Sequence, residues 1–418
     1  MGAKNIPAIA FLAATISGCL SFAATAQGLV DYKVVDGKSI PVSLTDRPGD
    51  PGRGREVVID TKLGNCLACH QIPALGDQEM HGNIGPGLGG VASRMTEGEI
   101  RLRVVDAGTV EPDTIMPAFY RNKGFHDVMP KFEGKTILTA AEVEDVVAFL
   151  MTLKEGDGKP VAGLTGNGET GKLNVVSYEP AAGSDLPEVI SGYWFQSART
   201  RAIFDDDFEN PGFYAVEAGA ALWDDADGAA DKACADCHGQ GEVGMKGVGA
   251  RYPAFYKPSG KLISLEQRIN LCRTENQKAE AWDWGAGELI AMTTYVRYQS
   301  RGMPVNVSID GPARPFFEKG KEYFFKRRGQ INMSCDQCHS QNVGKWLRGN
   351  KLSQAQTASY PHYGLYFSKM DWPHQIFEHC VEKMRSTPPA YGSEDYVNLE
   401  LFMAWRGQGL PVETPGVR

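Results

Sequence analysis

Three amphipathic helices are predicted from the spacing of apolar positions along the chain. The first begins with Thr139 and Glu142, which form a capping-box signature. Its apolar face consists of Val143, Val146, Val147, Leu150 and Leu153. Residues 288–301 and 393–406 carry similar apolar faces. Each helix closes a stretch that contains an earlier amphipathic helix and a glycine-rich loop, so the pattern predicts a mainly α fold with a repeated helical unit.

One short string, Cys-x-x-Cys-His, occurs once in each of these units. Two cysteines at this spacing can each form a thioether to a vinyl group of haem, and the following histidine becomes the proximal iron ligand. A zinc site would need further Cys or His pairs nearby, and a dithiol redox pair need not be followed by His. The strings therefore predict three covalently attached haem c groups in three cytochrome c-like helical domains in tandem. The predicted attachment residues are Cys66, Cys69, His70, Cys234, Cys237, His238, Cys335, Cys338 and His339.

The amino-terminal segment resembles an export signal. Lys4 gives it a positive start, a mostly apolar run follows, and Ala24-Thr25-Ala26 supplies a small-residue cleavage pattern. Residues 1–26 are therefore predicted to be a signal peptide that directs the chain to the periplasm. A lipoprotein box that ends at Cys19 is the alternative, and it would tether the protein through a lipid.

Composition supports a division of the remaining chain into modules. A stretch rich in Gly and Pro, 155–187, reads as a linker between a one-haem domain, 27–154, and a two-haem module. That module is divided into 188–302 and 303–418.

The net charge of -8 argues against nucleic-acid binding, which needs an excess of basic residues. Beyond residue 30 no apolar run reaches the length of a membrane span.

The sixth iron ligands are predicted from residues a few tens of positions after each string. In the first unit Met116, followed by Pro117, is the preferred candidate, and Met129 before Pro130 is the rival. The second and third units instead carry one spare cysteine each, Cys272 and Cys380. Methionine raises the haem potential whereas thiolate donates electron density, so the first haem would be the electron exit. The alternatives are a disulfide between the two cysteines, or ligation of the third haem by His362, His374 or His379.

Longer motifs give the chain a family resemblance. Residues 64–150 resemble the one-haem subunit of the SoxAX thiosulfate-oxidising cytochromes, and residues 191–418 resemble its two-haem subunit. The first set of matching motifs is GNCLACH at 64–70, GNIGP at 82–86, LRVVD at 102–106 and IMP at 115–117. The second set is SGY at 191–193, DDDF at 205–208, ARYPAF at 250–255, RINLCR at 268–273, QSRGMP at 299–304 and WR at 405–406.

The resemblance implies an enzyme of the L-cysteine S-thiosulfotransferase type. It implies that Cys380 is the active-site cysteine, that Arg406 and Arg385 hold the anionic substrate, and that both spare cysteines ligate haem. Thiosulfate would be joined to a cysteine of a SoxYZ-like carrier protein, and two electrons would leave to a small c-type cytochrome.

Two departures from the family pattern leave other functions open. The two subunits are fused here, and the basic run expected before the active cysteine is replaced by a stretch that contains Glu378. The alternatives are a multihaem electron carrier without substrate chemistry and a thiosulfate dehydrogenase that forms tetrathionate.

Overall fold

The computed structural model describes residues 29–154 and 175–418. The predicted signal peptide, with Cys19, and the first part of the predicted linker lie outside these residues. The α-helices are α1 Pro51–Ile59, α2 Val91–Arg94, α3 Glu97–Asp106, α4 Ala140–Thr152, α5 Ala198–Asp205, α6 Phe213–Asp224, α7 Cys234–His238, α8 Gly241–Gly244, α9 Leu265–Cys272, α10 Gly287–Tyr298, α11 Arg314–Phe325, α12 Cys335–His339, α13 Pro373–Lys383 and α14 Glu394–Arg406. None of the helices in the described residues is both long and apolar enough to cross a membrane.

A pair of packed helices frames each of the three units. The helix before the string packs against the helix that closes the unit, as α1 with α4, α6 with α10, and α11 with α14. The capping box predicted at the start of α4 is formed, because Thr139 and Glu142 satisfy each other's backbone N–H groups. The apolar faces predicted for the closing helices are buried, with the exception of Gln299, which is half-buried after α10 ends. The mainly helical architecture is therefore confirmed.

Short strands form the turns between the helices. They are β1 Ser177–Tyr178, β2 Val189–Ile190, β3 Ala254–Tyr256, β4 Lys261–Ile263, β5 Trp346–Leu347, β6 Asn350–Lys351, β7 His362–Gly364, β8 Lys369–Asp371 and β9 Gly416–Val417. The pairs β1–β2, β3–β4, β5–β6 and β7–β8 are antiparallel, and β9 adds to β7 in parallel. The hairpins β3–β4 and β7–β8 stand directly before α9 and α13, so they orient the two helices that carry the spare cysteines.

The first unit is closed by a buried ion pair. Arg101 on α3 makes a bidentate contact with Glu144 on α4, with N–O distances of 2.8 and 2.9 Å. Arg101 also donates to the carbonyl of Ile40 at 2.8 Å. Because both charged side chains are almost fully buried, removal of either would cost the other its bidentate partner, although Glu97 also pairs with Arg101.

The carboxyl-terminal part of the predicted linker is packed rather than loose. Tyr178 on β1 pairs with Val189 on β2, Leu186 is buried in the core of the third unit, and Asp185 forms an ion pair with Arg406. The following segment also lies on the third unit, since Ser191 bonds to Glu413. The sequence boundaries at 187 and 188 therefore do not separate a spacer from the second unit, because backbone pairing and apolar burial bind this segment to residues 303–418.

The first unit lies against the third. The β5–β6 turn contacts the first string, with Arg348 donating from its backbone to Ala68 and from its side chain to Asn65 at 2.6 Å. The backbone N–H of Asn83 donates to Trp346 at 3.0 Å. The third unit therefore contacts the region around the first haem-attachment string.

Candidate haem and cysteine site

Two of the three proximal histidines are held by a backbone carbonyl. His70 Nδ1 lies 2.7 Å from the carbonyl oxygen of Pro86, and His339 Nδ1 lies 2.7 Å from that of Ser353. Because a carbonyl can only accept, Nδ1 carries the proton and the lone pair of Nε2 is left for the predicted bond to iron. Burial lowers the pKa of both imidazoles, which favours the neutral form that binds a metal.

The second string is more open than the other two. His238 and Cys237 are exposed, and the ring of Trp223 lies 5.8 Å from that of His238. Trp223 donates to the carbonyl of Gly239 at 2.9 Å, which fixes the end of α7. Trp223 on α6, the helix before the string, therefore contacts both the histidine ring and the residue that ends α7.

The strings fit haem attachment by their donor set and their close contacts. Each string supplies two cysteine thiols for thioether bonds and one histidine nitrogen for iron, which is the donor set that haem c requires. At Gly85 a side chain would place a Cβ 2.4 Å from Cε1 of His70, so only glycine leaves the imidazole in place. In a covalently bound state, haem would supply one-electron redox chemistry at these strings.

Each spare cysteine lies beside the string of its own unit. Burial, together with the nearby charge of Cys380, raises the pKa of Cys338 to about 12. In the second unit burial, together with the charge of Cys272, raises the pKa of Cys234 to about 11. Both spare cysteines are free, so no disulfide joins them in the structure. The arrangement brings together the residues predicted as proximal and distal ligands, and iron ligation itself stays a prediction.

Met116 and Met129 lie in different surroundings. Met116 packs against the first core, as Cys66 of the first string also does. Met129 donates through its backbone N–H to the carbonyl of Arg385 at 3.0 Å and caps the short helix Pro130–Phe132 against the third unit. Met116 thus shares the core of its own string, and Met129 lies at the contact between the two units.

The two arginines implied to hold the substrate are occupied by protein groups. Arg406 is buried, contacts both carboxylate oxygens of Asp185 at 2.8 and 2.6 Å, and donates to the carbonyl of His339 at 2.9 Å. Arg385 donates to Gln330 and to the carbonyl of Lys62. Their guanidinium groups tie the third string and the first unit in place, so their substrate role stays a prediction without a contact to support it.

The alternative histidine ligands also have protein partners. His374 Nε2 lies 3.1 Å from Glu400, and its Nδ1 accepts from the N–H of Gly392. His362 Nε2 lies 3.8 Å from Asp371, and burial places the His362 pKa well below its usual range. The ring of His379 packs on Phe367.

Two residues that the sequence motifs do not predict as functional, Lys383 and Gln337, lie at the site. Lys383 lies one helical turn after Cys380. Burial raises the pKa of the Cys380 thiol, and the positive charge of Lys383 offsets part of that rise. Gln337, inside the third string, donates to the carbonyl oxygens of Asp113 and Thr114 in the first unit. Helical spacing from Cys380 could have identified Lys383. The contact of Gln337 depends on how two distant segments meet, and no local pattern reveals it.

Comparison with known proteins identifies cytochrome c domains and a family for the chain. The family model described as "Cytochrome c" matches residues 52–154, and "SoxA/TsdA, cytochrome c domain" matches residues 218–305. L-cysteine S-thiosulfotransferase subunit SoxA of Rhodovulum sulfidophilum is 41% identical over 251 residues, which span 59% of this chain and 88% of the relative. The chain belongs to the SoxA family. The SoxA of Paracoccus pantotrophus is 39% identical over 61% of this chain and 89% of the relative.

A solved structure extends the similarity to three dimensions. The crystal structure of SoxXA from P. pantotrophus aligns with a TM-score of 0.57 and 39% identity, covering 58% of this chain and 93% of that one. The family and the mainly helical cytochrome c fold predicted from the sequence are confirmed. So is the enzyme class, since the relatives are L-cysteine S-thiosulfotransferase subunits, and the cytochrome c domains bind covalent haem c.

Proposed function

We propose that this chain is a periplasmic cytochrome with three haem c groups that oxidatively couples thiosulfate to a cysteine of a SoxYZ-like carrier protein. Cys380 is the sulfur-handling residue and, with His339, a ligand of the third haem. Cys272 and Met116 are the corresponding distal ligands in the second and first units. Two electrons leave through the first haem to a small c-type cytochrome.

The observation that carries this proposal is the meeting of three cysteines from two units. Burial raises the pKa of Cys338, and the charges of Cys380 and Cys69 both raise it further. The sulfur-handling residue, the third string and the first string therefore lie close together. A short path between the third and first units is what rapid removal of two electrons requires.

The reaction balances with the small c-type cytochrome as the final electron acceptor. The carrier thiol and thiosulfate together lose one proton and two electrons, and a new S–S bond joins the carrier sulfur to the sulfane sulfur. In the proposed sequence, thiosulfate first forms an S–S bond to Cys380, and bound haem would supply the one-electron redox chemistry that removes two electrons. The carrier thiolate then attacks that disulfide, takes the thiosulfonate group and releases the Cys380 thiolate.

Lys383 provides a positive charge for the anion. It is exposed, lies on the same helical face as Cys380 and acts electrostatically on that thiol. Glu378, whose charge would repel thiosulfate, accepts a hydrogen bond from Tyr391. These contacts compensate for the basic run that is missing before Cys380.

The test compares Cys380→Ser with Cys272→Ser in the full chain. We expect Cys380→Ser to abolish thiosulfate-dependent haem reduction and carrier modification while three haems stay attached. Cys272→Ser should retain measurable coupling. After treatment with thiosulfate in the absence of the carrier, mass spectrometry should find the thiosulfonate adduct on Cys380.

Unchanged activity in Cys380→Ser would contradict the assignment of Cys380, whereas the absence of thiosulfate-dependent haem reduction in the unsubstituted protein would leave an electron carrier. Tetrathionate formed at the full rate without the carrier would instead favour the dehydrogenase. Product analysis with and without the carrier distinguishes these outcomes.

A further inference from the structure

Gln337 has two separate hydrogen-bonding tasks. It occupies the third position of α12 inside the third string and is 1% exposed. Its Oε1 accepts from the N–H of Ser334 at 3.2 Å and so caps α12. Its Nε2 donates out of the unit, to the carbonyl oxygens of Asp113 at 3.4 Å and Thr114 at 3.2 Å.

The receiving loop carries the candidate methionine ligand of the first haem. Thr114 accepts twice, through its carbonyl from Gln337 and through its Oγ1 from the N–H of Met116 at 3.2 Å. Met116 itself is half-buried against the first core. A buried amide of the third string is therefore linked through one residue to the methionine.

The other two strings lack this feature. At the corresponding position the second string has Asp236, whose carboxylate accepts from the N–H of Ala233 at 2.9 Å and has no proton to donate. The first string has Ala68 there. Capping alone needs only an acceptor, so the amide of Gln337 supplies something that capping does not require.

We propose that Gln337 is a positioning residue that holds the Met116 loop so that the methionine sulfur reaches the first haem. The third unit thereby completes the ligand set of the first unit, and electron exit depends on the contact between them. This inference rests on the proposed function, which assigns haem to the first string and ligation to Met116.

The test replaces Gln337 in the full chain and follows the iron–methionine absorption band of the oxidised protein. Gln337→Glu keeps the acceptor that caps α12, loses the donor and sets a carboxylate against two carbonyls. We expect loss of the band in most molecules and a lower potential for the first haem, since methionine ligation raises it. Gln337→Asn, which is neutral and too short to reach both partners, should act in the same direction and guards against misfolding of the charged variant.

Gln330→Glu is the matched control. Gln330 is also 1% exposed and also donates across this contact, to the carbonyl of Lys135 at 2.7 Å, away from the Met116 loop. Its variant should keep the band, and mass spectrometry should find three haems in every protein. A band unchanged in both Gln337 variants, or lost equally in Gln330→Glu, would overturn the inference. A band absent from the unsubstituted protein would overturn the Met116 assignment as well, whereas failure of the coupling function would show as an intact band without thiosulfate-dependent modification of the carrier.

Discussion

In the second unit the β3–β4 hairpin leads into α9, which ends at Cys272, and in the third the β7–β8 hairpin leads into α13, which carries Cys380. Both cysteines lie beside the string of their own unit. The surroundings differ. Cys237 and His238 of the second string are exposed, whereas His339 of the third is half-buried and its string contacts the first unit.

The two cysteines differ more in their charged neighbours than in their positions within the units. Burial raises the pKa of Cys272, and the opposite charges of Arg268 and Glu275 then act on it in opposite directions. Burial also raises the pKa of Cys380, where Lys383 is the charged neighbour that lowers it. The two charges that act on Cys272 oppose each other, whereas the one that acts on Cys380 is positive, which supports the proposed roles of Cys380 in substrate binding and Cys272 in electron transfer.

The largest expected difference concerns the end of the closing helix in the third unit. Arg406→Met removes the partner of Asp185 and the donor to the His339 carbonyl, so the free energy of unfolding should fall by about 3 kcal/mol. Denaturant unfolding of the intact haem protein measures this change. If the variant kept its stability but bound thiosulfate more weakly, Arg406 would belong to the substrate site, as the family resemblance implies.

Exchange of the charges beside the two cysteines should have a smaller effect. Lys383→Glu replaces the cation near Cys380 with an anion, and KM for thiosulfate should rise about tenfold, which corresponds to about 1.4 kcal/mol. Lys383→Arg should restore most of the affinity because it keeps the charge.

The matched change in the second unit is Glu275→Lys, which also alters charge one turn after a cysteine. Its KM should stay within about twofold of the unmodified value. Equal effects of the two charge changes on KM would show that thiosulfate does not distinguish the units.

The helices were predictable because local sequence patterns determine where they begin and which face is buried. Thr139 and Glu142 identify the start of α4 by their spacing, and the five apolar residues that follow identify its buried face. The segment at 177–187 was not predictable in this way. Glycine and proline suggested a spacer, but Leu186 is buried and Asp185 is paired by contacts with residues far along the chain.

The candidate site was predictable to a similar depth. The Cys-x-x-Cys-His strings predict haem attachment, and the spare cysteines of the second and third units, which lie beside their strings in the fold, stay predictions as distal ligands. Local sequence patterns do not show which charged side chains are already paired within the fold. Arg406 is available in sequence but bound to Asp185 in the fold, and Gln337 is unremarkable in sequence but bridges two units.

The smallest expected effect concerns the second residue of each cysteine-bearing helix, which is Glu266 in α9 and His374 in α13. His374 is bonded to Glu400, whereas burial, reinforced by the charge of Glu400, raises the pKa of Glu266. The folded protein therefore holds the Glu266 proton more tightly than the unfolded chain, in which glutamate titrates near about 4.3. The free energy of unfolding should accordingly fall as pH rises above that value.

Glu266→Gln keeps an acceptor for Ser264 and should stabilise the protein by about 1 kcal/mol at neutral pH, with the gain disappearing below about pH 4. Thermal unfolding at several pH values measures this, and a gain that persisted in acid would mean that shape rather than charge distinguishes the two helices.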